Sequence, residues 1–123
     1  LTEIWKPIDH YPYEVSNLGS VRRLGKTEPI AVTVCQKRRG RYAKVDLWYR
    51  GRRKTICVHR LVAAAFLPPP APHQLEVNHF DLDTLNNTVE NLEWLSRTEN
   101  EQHKRFMMAF DQFAAAGAGS GSA

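Results

Sequence analysis

Residues 75–105 read LEVNHFDLDTLNNTVENLEWLSRTENEQHKR, and the reading of this stretch decides the fold. Residues 75–80, Leu-Glu-Val-Asn-His-Phe, have the composition of a strand. Asp81 to Asn87 form a polar loop, and residues 91–95, Asn-Leu-Glu-Trp-Leu, form a second strand. Ser96 and Thr98 each stand three residues before a glutamate, Glu99 and Glu101 respectively. Either pair is a capping box, so a helix begins there. Phe106, Phe110 and Phe113 recur at helical spacing and predict an inward apolar stripe on that helix. The order is strand, loop, strand, helix.

Polar residues that can do chemistry gather on these elements. Asn78 and His79 lie on the first strand, Asn91 at the second, and Asn100 and His103 in the first turns of the helix. Asn100 and His103 are three apart and share a helix face. That face is expected to look at the strands carrying Asn78 and His79. A neutral imidazole can take a proton from water near neutral pH. An amide oxygen or a ring nitrogen can ligate a divalent ion, and amide oxygens favour hard ions of the Mg²⁺ type. The grouping therefore suits metal-assisted phosphodiester hydrolysis. A lone strand histidine would be read as an ordinary hydrogen-bonded one; the spacing raises His79 above that.

Upstream the chain changes character. Residues 22–60 hold thirteen Lys and Arg against only Glu28 and Asp46, a net charge of +11. The whole chain of 123 residues is only +4, because both flanks are acidic. Such asymmetry marks an electrostatic binding face. Residues 30–36 and 42–49 predict a hairpin, with basic turns at 37–41 and 50–54. Residues 3–24 read as two short strands around the turn Ser16-Asn17-Leu18-Gly19, and residues 60–66 as a short helix stopped by Pro68, Pro69 and Pro70. Trp5, Trp48 and Trp94 are expected in the core. His59 and Arg60 suit either a phosphate contact or packing at the helix entry. His10 and His73 are expected at the surface. Arg22, Arg23, Lys37, Arg38, Arg39, Arg41, Arg52, Arg53, Lys54 and Arg60 are candidate contacts to a nucleic-acid backbone, DNA or RNA by charge alone, since phosphate contacts supply affinity.

Composition narrows the class. With 42% hydrophobic and 24% charged residues the chain can bury a modest core. No apolar run approaches the roughly 20 residues of a membrane span, and the first residues do not resemble a secretion signal. Cys35 and Cys57 form no CxxC pair and read as reduced strand residues. The fold class is α+β: a basic β-meander over 1–57, a short helix and strand–strand–helix motif over 58–113, and a flexible Gly/Ser/Ala tail over 114–123.

At these residues the chain resembles the HNH endonucleases of the ββα-metal type. The resemblance rests on Val77-Asn78-His79-Phe80-Asp81, Asn86-Asn87, Asn91-Leu92-Glu93-Trp94 and Glu99-Asn100 followed by His103. His59-Arg60-Leu61-Val62 with Ala65-Phe66 matches the lead-in of the phage and intron-encoded homing or nicking subgroup. Residues 3–24 resemble the small module often placed before it. The resemblance covers 3–24 and 58–103. It implies His79 as general base, with Asn91 bracing the loop and orienting it. It implies Asn78 and Asn100 as ligands of one Mg²⁺ or Mn²⁺, and His103 as an auxiliary ligand or phosphate contact. The partner it implies is duplex DNA, cut on one strand to leave 5′-phosphate and 3′-hydroxyl ends. No small-molecule cofactor is expected. A monomer or weak dimer acting in the cytoplasm of a host cell, encoded by a phage or mobile element, fits that reading. Two positions depart from the family: many relatives carry Asp at the place of Asn78, and Leu82 stands where Gly is frequent. Asp81 and Asp83 are candidates to restore the missing charge. The alternative is a non-catalytic DNA-binding protein on a degenerate HNH scaffold.

Overall fold

The structure, a computed structural model, describes residues 2–38 and 40–121, with side chains described through Ala109. Ten elements follow one another: β1 (Trp5–Pro7), β2 (Tyr13–Ser16), β3 (Val21–Arg23), β4 (Thr33–Lys37), β5 (Gly40–Tyr49), β6 (Arg52–Cys57), α1 (Val58–Phe66), β7 (Glu76–His79), β8 (Leu92–Leu95) and α2 (Arg97–Gly121). They make three antiparallel sheets, β1-β2-β3, β4-β5-β6 and β7-β8. The α+β class expected from the sequence is observed.

β5 shows why the middle sheet forms. Ala43, Val45 and Leu47 point one way and are buried, while Lys44, Asp46 and Trp48 alternate to the other face. The β5–β6 hairpin closes through Arg50 and Gly51, both at positive φ (52° and 75°), as a two-residue turn twisted to match its strands requires. Arg52, Arg53 and Lys54 therefore lie in β6, not in a basic turn. Residues 3–24 yield three strands rather than two, because Trp5–Pro7 adds an edge to β2.

α1 is the hub. Its buried residues Val58, Leu61, Val62 and Ala63 share one core with Tyr13, Val15 and Val21 of the first sheet, Val45 and Leu47 of the second, and Val77 and Leu92 of the third. The segments divided at 57/58 in the sequence thus bury one common core. The helix ends as foreseen: Leu67 before the proline run is extended at ψ 153°.

α2 opens on the Ser96 box. Ser96 N–H donates to Glu99 Oε1 at 3.0 Å, and Glu99 N–H donates to Ser96 Oγ at 3.1 Å. Its backbone is helical through Gly121, within the Gly/Ser/Ala segment expected from composition to be a flexible tail. Ala114, Ala115 and Ala116 are the strongest helix formers and extend the segment past Gly117. Residues 122–123 lie outside the described residues. Two apolar expectations fail. Phe106 is 67% exposed and Trp48 is 48% exposed, because the hairpin below α2 is only two strands wide and Trp48 is on the outward face of β5. The side chains of Phe110 and Phe113 are outside the described residues. Cys35 and Cys57 are free thiols. Among the described residues, no helix is long and apolar enough to cross a membrane.

Candidate active site

β7 and β8 pair with Asn78 opposite Glu93 and His79 opposite Leu92. Adjacent residues on a strand face opposite sides, so Asn78 and Glu76 turn one way and His79 the other. Asn78 Nδ2 donates to Glu93 Oε1 at 3.1 Å. Asn100, on α2, donates through Nδ2 to Glu76 Oε2, also at 3.1 Å. Both amides are buried, and the Asn100 Oδ1 atom is buried with no hydrogen-bond partner. A buried acceptor left bare is costly. Each amide is held by its nitrogen through a carboxylate, which leaves its oxygen for another partner.

His79 is buried and its Nε2 lies 2.8 Å from Asn87 Oδ1. An amide oxygen only accepts, so Nε2–H donates and Nδ1 is the unprotonated nitrogen. Burial pushes the imidazole below its ordinary pKa, opposed by the Asn87 bond and by Asp81 and Asp83. His79 is therefore neutral near pH 7. The ring of His59 packs edge-on against it at 5.1 Å between centroids, with Tyr42 on its other side at 5.6 Å. His59 is itself buried and its Nδ1 has no partner. Burial, then His79 and Arg60, push its pKa down to about 3.

The loop between the strands is tied to Asn91. Asn91 Nδ2 donates to Asp81 Oδ1 at 2.8 Å and to the Asn86 carbonyl at 2.9 Å, and Asn91 Oδ1 accepts from Asp81 N–H at 3.1 Å. Asn91 sits in a 3₁₀ turn, Val89–Asn91, just before β8 rather than within it. Its side chain is tied to the loop by these bonds, whereas the residue hydrogen-bonded to His79 is Asn87. The first module supports this loop from outside: Val89 N–H donates to the Asn17 carbonyl at 2.9 Å. A Cβ on Gly19 (φ +91°) would come within 3.1 Å of the Asn87 Cβ. The turn Ser16–Gly19 thus needs glycine for close approach as well as for its dihedral. Asp81 and Asp83 are spent within the loop, on Asn86, Asn91 and the backbone N–H groups of Asp83 and Leu85. The carboxylates beside the two amides are Glu76 and Glu93 instead.

Asn78, His79 and Asn100 line one cleft of about 390 Å³, together with Tyr42, Thr84 and Lys104. His103 does not join them. Three residues along a helix turn it about 60° from Asn100, and its Nε2 lies 3.1 Å from the Phe80 carbonyl, with the Phe80 ring edge-on at 5.8 Å. The candidate DNA contacts also divide. Arg22 is engaged inside the first sheet, with Nε 2.6 Å from Glu14 Oε1 and its guanidinium 3.9 Å above the Trp5 ring. Arg23 lies over Tyr13, and Arg60 donates to the Leu75 carbonyl at 3.3 Å. Lys37 and Arg53 are on the face of the middle sheet that carries Lys44 and Trp48, while Arg52 and Lys54 are on its other face. Arg38 and Arg41 are exposed near the β4–β5 turn, and Arg39 lies outside the described residues.

The family model described as HNH endonuclease matches residues 57–102, and the NUMOD4 motif matches residues 3–48. The chain thus carries an HNH endonuclease segment preceded by a NUMOD4 motif. An uncharacterized HNH endonuclease of Acanthamoeba polyphaga mimivirus is 38% identical over 109 residues, covering 83% of this chain and 26% of the relative. The DNA endonuclease I-HmuI of Bacillus phage SP01 is 34% identical over 104 residues, covering 81% of this chain and 56% of the relative. A solved structure for DNA binding and cleavage by the HNH homing endonuclease I-HmuI superposes with a TM-score of 0.72 at 29% identity, covering 91% of this chain and 66% of that one. The chain thus spans about a quarter to about half the length of these curated relatives. The HNH segment runs from Cys57 before α1 into the first turns of α2 and holds Asn78, His79, Asn91 and Asn100. The NUMOD4 segment supplies the first sheet and most of β5.

Sequence reading missed Asn87 as the partner of His79 and Glu76 and Glu93 as partners of the amides. Asn87 carried a signal, since Asn86-Asn87 closes the polar loop eight residues after His79. Glu93 had one too, opposite Asn78 once the hairpin register is known. Glu76 had none, because its contact comes from α2, 24 residues away.

Proposed function

We propose that this chain is a divalent-metal-dependent DNA endonuclease that nicks one strand of duplex DNA. The observation that carries the reading is the buried, neutral His79, its Nε2–H given to Asn87, in one cleft with the amides of Asn78 and Asn100. The Asn87 bond leaves His79 Nδ1 as the acceptor for a proton from water. The HNH relative I-HmuI, whose name and structure refer to DNA cleavage, supports the substrate class.

The residues fit a hard divalent ion. The bare Asn100 Oδ1 is an oxygen ligand in waiting, and the Asn78 amide, fixed through Glu93, offers a second. Glu76 and Glu93 place negative charge beside them, which offsets the absence of Asp at position 78. When bound there, Mg²⁺ or Mn²⁺ supplies Lewis-acid stabilisation of charge on the scissile phosphate and the departing alkoxide. The chain's own work is otherwise proton transfer at His79 Nδ1, a loop held rigid by Asn91, and cations along the middle sheet for the DNA backbone. One cleft per chain makes a single-strand nick the unit event. This reading assigns binding mainly to the basic meander and cutting to the strand–strand–helix segment.

Incubation of supercoiled plasmid with the protein and Mg²⁺ is expected to give nicked circles. His79→Ala, which leaves the Asn78 and Asn100 amides in place, is expected to slow nicking by at least about 100-fold. Absence of nicked product, or equal nicking by His79→Ala, would overturn the reading. A second reading, DNA binding without cleavage, is favoured by one observation: among the described residues no group of three His, Cys, Asp or Glu is arranged to hold a metal. Calorimetric titration with Mn²⁺ separates the two, since the catalytic reading expects binding that Asn100→Ala weakens.

A further inference from the structure

The active-site cleft continues into a second pocket of about 220 Å³, the two sharing Tyr42, Val77, Asn100 and Lys104 as walls. Its other lining includes Lys37, Lys44 and Arg60. Four cations from four different elements, β4, β5, α1 and α2, therefore converge beside Asn100. Their charge is only partly offset, by Glu76, the one carboxylate that lines the same pocket. Among the described residues the one ion pair is Arg22 with Glu14, on another sheet. Asp46, on the same face of β5 as Lys44, takes a hydrogen bond from Thr55 Oγ1 at 2.6 Å, and Glu76 takes one from Asn100. Lys37 and Lys44 lie close enough to act on each other, and their mutual contact lowers Lys37 while it raises Lys44. Arg60 is aimed by its bond to the Leu75 carbonyl rather than left loose. Four cations against one carboxylate in a concave site leave an excess of positive charge that calls for an anion.

We propose that this pocket binds a backbone phosphate of the nucleic acid next to the scissile one, through Lys37, Lys44, Arg60 and Lys104. The assignment rests on the endonuclease reading and adds a register to it. The scissile phosphate lies at Asn78, His79 and Asn100, and its neighbour on the same strand lies across the shared wall. A bound phosphate relieves the Lys37–Lys44 repulsion and fixes which bond faces His79. Lys44 and Lys104 thereby become binding residues, although neither stands out in the sequence among the many cations.

The test uses the full chain and a nicked-site duplex carrying one neutral methylphosphonate at a time along the cut strand. In the wild type, neutralising the phosphate adjacent to the cut is expected to weaken binding by about tenfold. In the Lys37→Gln/Lys44→Gln variant that position is expected to fall silent while the other positions keep their effects. The slope of log affinity against log salt is expected to fall by about 0.9, as for one lost phosphate. Both lysines reach solvent, so the fold should survive, with an unchanged melting curve and unchanged Mn²⁺ binding. Arg60→Gln should quieten the same position, and Lys26→Gln, on the remote β3–β4 connection, should not. A wild type that binds and nicks while the double variant keeps its slope and methylphosphonate profile would overturn the pocket alone. A wild type that neither binds nor nicks duplex would overturn the endonuclease reading itself. Saturation of the pocket by millimolar inorganic phosphate, with no position-specific methylphosphonate effect, would overturn the polynucleotide as the source of the anion.

Discussion

Asn91→Ala removes three hydrogen bonds from one buried side chain and leaves its backbone bonds to Phe80 and Thr88 in place. Two of the lost bonds are neutral, from Asp81 N–H and to the Asn86 carbonyl, and one is to the Asp81 carboxylate. At about 1 kcal/mol for each neutral bond and about 1.5–3 for the charged one, the gross loss is about 3–5 kcal/mol. Asp81 is exposed, so water replaces part of its share, and a net loss of about 3 kcal/mol is expected. That is a large part of the roughly 5–15 kcal/mol of a small domain. Urea unfolding followed by circular dichroism measures it, with midpoint shifted and m unchanged. Nicking should fall as well, because the same loop carries Asn87 to His79. Asn91→Asp sharpens the test. It keeps the shape but sets a carboxylate against the Asp81 carboxylate, now 2.8 Å from Nδ2. That pair would have a folded-state pKa raised above the unfolded value, so its penalty is absent below about pH 4 and grows as pH rises through the folded pKa. Asn91→Asp should therefore be least stable at neutral pH and recover toward Asn91 stability in mild acid. A loss under about 1 kcal/mol for Asn91→Ala, or no pH dependence specific to Asn91→Asp, would refute the loop-brace argument.

Two further predictions use the same physics. His59 has a folded pKa of about 3 against an unfolded value of 6.5, so the unfolded chain binds the extra proton. Stability contributed by neutral His59 is full above pH 6.5 and is lost as pH falls toward 3, by about 1.4 kcal/mol per pH unit; His59→Phe should flatten that slope by close to one proton, and an unchanged slope in paired melting curves would count against it. Leu82 sits at φ +63°, where a side chain costs about 1–2 kcal/mol. Leu82→Gly should be near neutral, relief of strain offsetting lost contact and chain entropy, whereas the β-branched Leu82→Val should destabilise by more than about 1 kcal/mol in chemical denaturation; the reverse order would show that the loop does not hold that dihedral.

The case of Leu82 also shows how a family departure was absorbed. The chain lacks glycine there, yet the backbone keeps the left-handed bend, because Leu82 N–H donates to the His79 carbonyl at 3.0 Å and the Asn91 bonds fix the residues around it. Tertiary hydrogen bonding outweighs a local preference of about 1–2 kcal/mol. In α2 the opening was legible in Ser96 and Glu99, whereas the helical backbone past Gly117 was not. Capping is a short-range bond between residues three apart; in the last residues the glycines disfavour a helix, while the alanines before them favour it.

What the residues determine by themselves is everything carried by short-range pattern. The period-2 alternation of β5, the proline stop after α1, the Ser96 box and the ordered Asn78-His79, Asn91 and Asn100 set all follow from spacing along the chain. The tertiary structure decides which groups meet. Asn87 rather than Asn91 holds His79, Glu76 and Glu93 rather than Asp81 and Asp83 stand beside the amides, His103 turns to Phe80, and Arg22 is consumed by Glu14. Those outcomes depend on hairpin register, on the rotation of α2 about its axis and on a close approach at Gly19. Each is set by packing between elements remote in sequence, which no local spacing encodes.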